Sequence, residues 1–210
     1  MAILKHGILG PVSNKVGTVI GRNFRGLNVI TQLYNTSQKP ATVGQKLENN
    51  RLTMLSSFLS DAQWVIVPGF TKTAKAGQSA LNAAYSYNYP NAFIEENDAL
   101  SINFPKIVFS RGPVEQPNCA TVKMEGNQII FNWLAQAENK YNRHDDHTSF
   151  LIHSANWPHM IILQHTVTRS SLRFEFELPE TRLGDTLHCF MLFSNRNGKL
   201  IGNSEYIGKL

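Results

Sequence analysis

Hydrophobic and polar positions change their rhythm twice along the chain. Between residues 17 and 34, apolar side chains alternate loosely with polar ones (Val19, Ile20, Phe24, Leu27, Val29, Ile30, Leu33, Tyr34), with a break at Arg25-Gly26. Two short β-forming runs around a two-residue break predict a β-hairpin with its tight turn at Arg25-Gly26. From Thr42 the spacing becomes helical. Thr42 and Gln45 have capping-box spacing: the threonine oxygen takes the N–H of the third helical residue and the glutamine side chain returns to the cap N–H. Val43, Leu47, Met54, Leu55, Phe58 and Leu59 then fall largely on one face, which predicts a helix to about Ala62. The apolar run WVIVPGF (64–70) closes at Pro68-Gly69. Residues 77–87 predict a second, shorter helix with Leu81, Ala84 and Tyr85 inward, stopped at Tyr89-Pro90-Asn91.

From about residue 99 the period shortens to two. β-forming runs recur at 99–104, 106–110, 120–124, 128–133, 149–154, 160–167, 172–178, 186–194 and 199–208. Glu125-Gly126-Asn127 and Arg196-Asn197-Gly198 have the composition of hairpin turns. LRFEFEL alternates strictly, with Leu172, Phe174, Phe176 and Leu178 on one face, as in a strand with one buried side. Seven or more short strands with an inward Trp133 predict an immunoglobulin- or fibronectin-like β-sandwich. The expected fold class is α+β: mostly β with two N-terminal helices. An N-terminal hairpin and helical region (1–98) is joined to the β-sandwich (99–210).

Composition narrows the function classes. Hydrophobic residues make up 42% of the 210 and charged residues 17%, as in a chain that buries a core. The net charge of +5 is concentrated early: Lys5, Lys15, Arg22, Arg25, Lys39, Lys46 and Arg51 against Glu48 give +6 by residue 51. Such a bias favours an acidic partner surface. Cys119 and Cys189, both in apolar runs, read as buried free thiols. Neither a signal-peptide pattern nor an apolar run of about 20 residues is seen, so the expected location is the cytoplasm or the inside of a particle, without membrane contact.

Four features of the chain bear on chemistry. Gly17 and Gly21, followed by Gly26, match neither phosphate-binding glycine pattern, and no helix follows directly. His144 and His147 with Asp145 and Asp146 form the densest metal-like cluster, but the stretch reads as a solvated loop without fixed ligand spacing, so no metal or other cofactor is assigned. His188 and Cys189 are adjacent, which on a strand sends them to opposite faces. The serines lack a nucleophile elbow. No catalytic grouping is assembled and no small-molecule substrate is expected.

Five stretches carry a resemblance: HGILGPVSNKVGTVIGRNFRGLNVITQL, KPATVGQKLENNRLTMLSSFL, LNAAYSYN, KIVFSRG and GNSEYIG. Together they resemble a bacterial family of unknown function whose members open on a Gly-Lys-Val-Gly hairpin and close in a β-sandwich. Asn14 stands where the family usually has glycine. The N-terminal half is also similar, more weakly, to phage-type structural proteins, with Arg22, Arg25, Pro40, Thr42, Gln45, Arg51 and Phe58 in matching places. The resemblance implies a fold and, through the phage-type pattern, a particle-like assembly; it implies no activity. The expectation is a non-enzymatic structural or protein-interaction component that binds a protein partner or itself. Its contact element is the Gly-rich hairpin, through Gly17, Gly21, Phe24, Gly26, Leu27 and Tyr34. The alternative is nucleic-acid or polyanion binding by Lys15, Arg22 and Arg25, with cations tracking phosphates beside aromatic rings.

Overall fold

The computed structural model describes residues 2–3, 13–33, 40–96 and 99–210. In chain order they form β1 (Ala2–Ile3), β2 (Asn14–Val16), β3 (Val19–Phe24), β4 (Leu27–Gln32), α1 (Val43–Asp61), α2 (Gln63–Phe70), α3 (Ala80–Asn88), β5 (Phe93–Glu96) and β6 (Ala99–Ile102). Seven further strands follow: β7 (Asn118–Glu125), β8 (Gln128–Leu134), β9 (His147–His153), β10 (Ile161–Thr168), β11 (Arg173–Glu177), β12 (His188–Ser194) and β13 (Glu205–Lys209).

The last seven strands make the sandwich. One sheet runs β11-β8-β7 and the other β10-β9-β12-β13, with antiparallel neighbours throughout. This is the immunoglobulin- and fibronectin-like arrangement, with the fourth strand, β10, placed beside β9 rather than beside β11. Period-two alternation then sorts the side chains. Phe150 and Ile152 of β9 and Cys189, Met191 and Phe193 of β12 pack against Ile129, Phe131 and Trp133 of β8. The intervening Leu151, Phe190 and Leu192 pack against Leu55, Phe58, Leu59, Val65, Ile66 and Phe70 of the helices. The four-stranded sheet is thus covered on both faces, and the molecule has three layers. Strands buried on both sides read as continuous apolar runs, which is how SFLIH and HCFMLFS appear. Residues before and after position 98 share one buried cluster.

Several local expectations are corrected. Residues 63–70 form a third helix, with Pro68 inside it. A short apolar run does not distinguish a buried helix from a strand, and here the run continues the turn at Ala62, whose carbonyl accepts from Val65 and Ile66 N–H at 3.0 Å. Val43 and Leu47 are exposed, at 85% and 42%, because the first turns of α1 extend past the residues that cover its later face. Leu172 is exposed at 37%: its left-handed backbone (φ 56°) removes it from the β11 alternation. Cys119 is exposed rather than buried, also at a left-handed position (φ 48°), where β7 shifts register.

KIVFS is not a strand. Its backbone is buried without a ladder, and side chains from distant segments take its polar groups. Asn88 Oδ1 accepts the Val108 N–H at 2.7 Å while Asn88 Nδ2 donates to the Val108 carbonyl at 2.8 Å. Ser204 Oγ accepts the Phe109 N–H at 2.8 Å, and Ser110 Oγ donates to the Gly202 carbonyl at 2.7 Å. Gly112 N–H donates to Asn203 Oδ1 at 3.1 Å. Buried backbone groups need partners, and this exchange supplies them. It also explains Gly112: a Cβ there would lie 2.0 Å from the Ile201 carbonyl oxygen. Three stretches far apart in sequence, LNAAYSYN, KIVFSRG and GNSEYIG, meet in this one knot, which ties α3 to the sandwich.

Above the knot, Phe104 stacks on His188 with ring centroids 4.0 Å apart and meets His153 at 5.6 Å. His188 Nδ1 lies 3.0 Å from the Tyr206 hydroxyl. Burial pulls the His188 pKa down to about 4, with repulsion from Lys209 and His153 adding to it.

Candidate interaction surface on the amino-terminal sheet

Strands β1 to β4 form a separate four-stranded sheet, ordered β1-β4-β3-β2. Arg25 (φ 51°) and Gly26 (φ 80°) are both left-handed, the backbone of a two-residue turn whose twist matches its strands. The Asn23 side chain secures the turn by accepting the Gly26 N–H at 3.0 Å. A second tight turn, at Gly17-Thr18, joins β2 to β3, with Gly17 at φ 60°. Asn14 is left-handed too (φ 70°), a conformation that glycine adopts freely and asparagine tolerates.

Register decides which of the expected residues meet. Lys15 lies opposite Ile20, Arg22 opposite Val29 and Phe24 opposite Leu27. Opposed residues share a face, so Lys15, Ile20, Arg22, Phe24, Leu27 and Val29 line one side. Gly21, opposite both Asn14 and Ile30, belongs to the other side and is buried. The Arg22 and Arg25 guanidinium carbons stand 5.8 and 5.4 Å from the centre of the Phe24 ring. Phe24 itself is 40% exposed. Leu27 points toward the loop between α2 and α3, its Cδ1 3.3 Å from where a Gly77 Cβ would sit. Gly17 and Gly26 are exposed, and a Cβ at either would have nothing within 4 Å. Tyr34 lies outside the described residues.

The sheet ends at β2. Asn14, Lys15 and Val16 are all exposed, Val16 at 58%, and no described strand lies beyond them. An exposed edge presents unpaired N–H and C=O groups that another strand can take.

The histidine-rich loop resolves differently. His144 is exposed and paired with Glu138, which raises its pKa. Asp146 is buried, accepts the Arg143 N–H at 3.0 Å and faces Arg169 Nε at 3.3 Å, an ion pair rather than an aligned hydrogen bond. Arg169 is buried as well. It donates to Gln136 Oε1 (2.7 Å) and the Glu115 carbonyl (2.9 Å), and its guanidinium carbon lies 3.8 Å from the centre of the Phe193 ring. Burial lowers its pKa and Asp146 opposes the shift. Its carbonyl accepts the Trp133 indole N–H at 2.8 Å. No local pattern marks this buried pair, because the two residues are 23 positions apart in polar segments. Among the described residues, no group of three or more His, Cys, Asp or Glu side chains is arranged to hold a metal ion. Nor is any described helix long and apolar enough to cross a membrane.

Comparison with known proteins gives three findings. No curated protein matches the chain. Among solved structures, the crystal structure of the chicken CNTN1 FN1-FN3 domains aligns at 15% identity with a TM-score of 0.37, covering 48% of this chain and 32% of that one. The family model for DUF6266, a family of unknown function, matches residues 10–208, and the chain belongs to that family.

Proposed function

We propose that the protein is a non-enzymatic structural or interaction component, built for a phage-like or self-assembling particle, whose amino-terminal sheet is the contact element. The observation that carries this reading is the open β2 edge, exposed from Asn14 to Val16, on a sheet that also exposes Phe24. An incoming strand, from a partner or a second copy, pairs with that edge through main-chain hydrogen bonds. Phe24, held between Arg22 and Arg25, is the apolar anchor nearest the turn. Size-exclusion chromatography with light scattering tests this on the full chain and on a chain lacking residues 1–35. The expected result is an assembly lost on truncation; equal oligomeric mass and equal partner binding in both overturn the reading.

A second reading is favoured by the convergence of Arg22 and Arg25 on the Phe24 ring, with Lys15 on the same face. It assigns the same sheet to a polyanion. Arg22→Ala and Arg25→Ala then weaken retention on a polyanion column, and salt-independent elution overturns it.

A further inference from the structure

The end of the sandwich that carries the β8–β9 and β12–β13 connections holds two adjoining depressions. One, of about 410 Å³, lies between the 140–146 loop and the 195–200 turn and is lined by Lys140, Tyr141, Arg143 and Arg196. The other, of about 390 Å³, is lined by Lys72, Arg111, Lys199 and the backbone around Gly112. Leu200 lines both, and the chain passes from Gly112 in one to Val114 in the other, so they form one trench.

Its charge is one-sided. Six cations line it against two carboxylates, Asp145 and Asp146. Asp146 is already neutralised from behind by the buried Arg169, 3.3 Å away. Asp145 stands only 3.9 Å from Arg196, and the second depression has no acidic lining residue. Tyr141 belongs to the lining of the first depression, and Arg111 of the second lies over the Tyr87 ring. Lys140 Nζ is 5.1 Å from the centre of the Tyr141 ring, and the Arg111 guanidinium carbon is 4.4 Å from that of Tyr87. Tyr141 is 38% and Tyr87 44% exposed. Clustered cations beside an exposed π face suit a single-stranded nucleic acid: phosphates meet the charges and a base stacks on the ring. An acidic polypeptide would use the charges but not the ring.

We propose that this trench is a binding site for single-stranded nucleic acid, separate from the amino-terminal sheet and from its role as a contact element. Lys72, Arg111, Arg143 and Arg196 hold the phosphodiester backbone, and Tyr141 stacks a base. The positively charged trench makes binding strongly salt-dependent.

The test is fluorescence anisotropy of a labelled oligothymidylate of about 20 nucleotides with the full chain across a salt series. Two charge variants are compared: Lys72→Gln/Arg111→Gln/Arg143→Gln/Arg196→Gln in the trench, and Lys15→Gln/Arg22→Gln/Arg25→Gln in the sheet. All seven positions are exposed, and matching urea midpoints confirm that each variant folds. The trench variant is expected to lose at least about tenfold in affinity at about 0.1 M salt, with the log–log salt slope shallower by about 3. The sheet variant stays within about threefold, and Tyr141→Ala weakens binding about fivefold or more. Absence of binding at low salt overturns the proposal. So does a loss confined to the sheet variant, or competition by poly-glutamate as strong as by unlabelled oligothymidylate at equal charge.

Discussion

The amino-terminal sheet and the four-stranded sheet of the sandwich have the same number of strands and opposite surroundings. In β9 and β12, every residue after the first is buried. Across residues 13–33, only Gly21 and Val29 are. The body is therefore held by side chains pressed between layers, whereas the amino-terminal sheet rests on main-chain pairing, two tight turns and a thin apolar face. Small sheets gain independent stability only from a hydrophobic face or from packing against another element. The difference predicts a division of labour: substitutions in the body cost stability, and substitutions in the sheet cost association.

The largest expected effect is in the body. Asp146→Ala leaves Arg169 buried with an uncompensated charge and should cost about 3–5 kcal/mol in urea unfolding. A loss under about 1 kcal/mol would mean that water reaches Arg169 and that this end of the sandwich is looser than its burial indicates. Next, Ser204→Ala removes the partner of the buried Phe109 N–H and should cost about 1–3 kcal/mol. Acid should act through His188. Its folded pKa of about 4 lies below the ordinary value of 6.5, so the unfolded state takes up a proton first as pH falls. The contribution is fully present above pH 6.5 and lost between there and about 4. With partial exposure discounted, roughly 1–2 kcal/mol disappears over that window, and His188→Asn should flatten the profile. The smallest stability effect belongs to the sheet. Val16→Lys places a charge on the open edge, should move the unfolding midpoint by less than about 0.5 kcal/mol, and should still abolish the assembly seen by light scattering. A large stability loss from Val16→Lys, with association intact, would reverse the comparison.

Much of the local structure was legible because it rests on short-range chemistry. The capping box forms as its spacing implies, with Gln45 N–H to Thr42 Oγ1 at 3.3 Å and Thr42 N–H to Gln45 Oε1 at 2.9 Å. The Arg25-Gly26 turn, the turn at Gly126 and the alternation of Phe174 and Phe176 follow the same logic. Local pattern fails where the partner is remote. WVIVPGF is a helix because it continues the turn at Ala62 and packs Val65, Ile66 and Phe70 into the cluster beside the central sheet, and KIVFS is irregular because Asn88 and Ser204 replace a neighbouring strand. For the candidate surface, sequence placed the turn and the basic residues, but only register puts Lys15, Arg22 and Phe24 on one face. The trench was invisible in the sequence, since Lys72, Arg111, Arg143 and Arg196 come from four separate segments.

The two cysteines give the molecule an internal clock. Cys119 is open to solvent, while Cys189 is sealed in the sandwich with its thiol pushed up to about 12 by burial. A thiol-alkylating pulse in native buffer modifies Cys119 at once and Cys189 only when the central sheet opens. The second alkylation therefore times global opening against a reference carried on the same chain. Repeating the pulse with a bound oligonucleotide or an assembled partner reads how far each ligand holds the body shut, without any added probe.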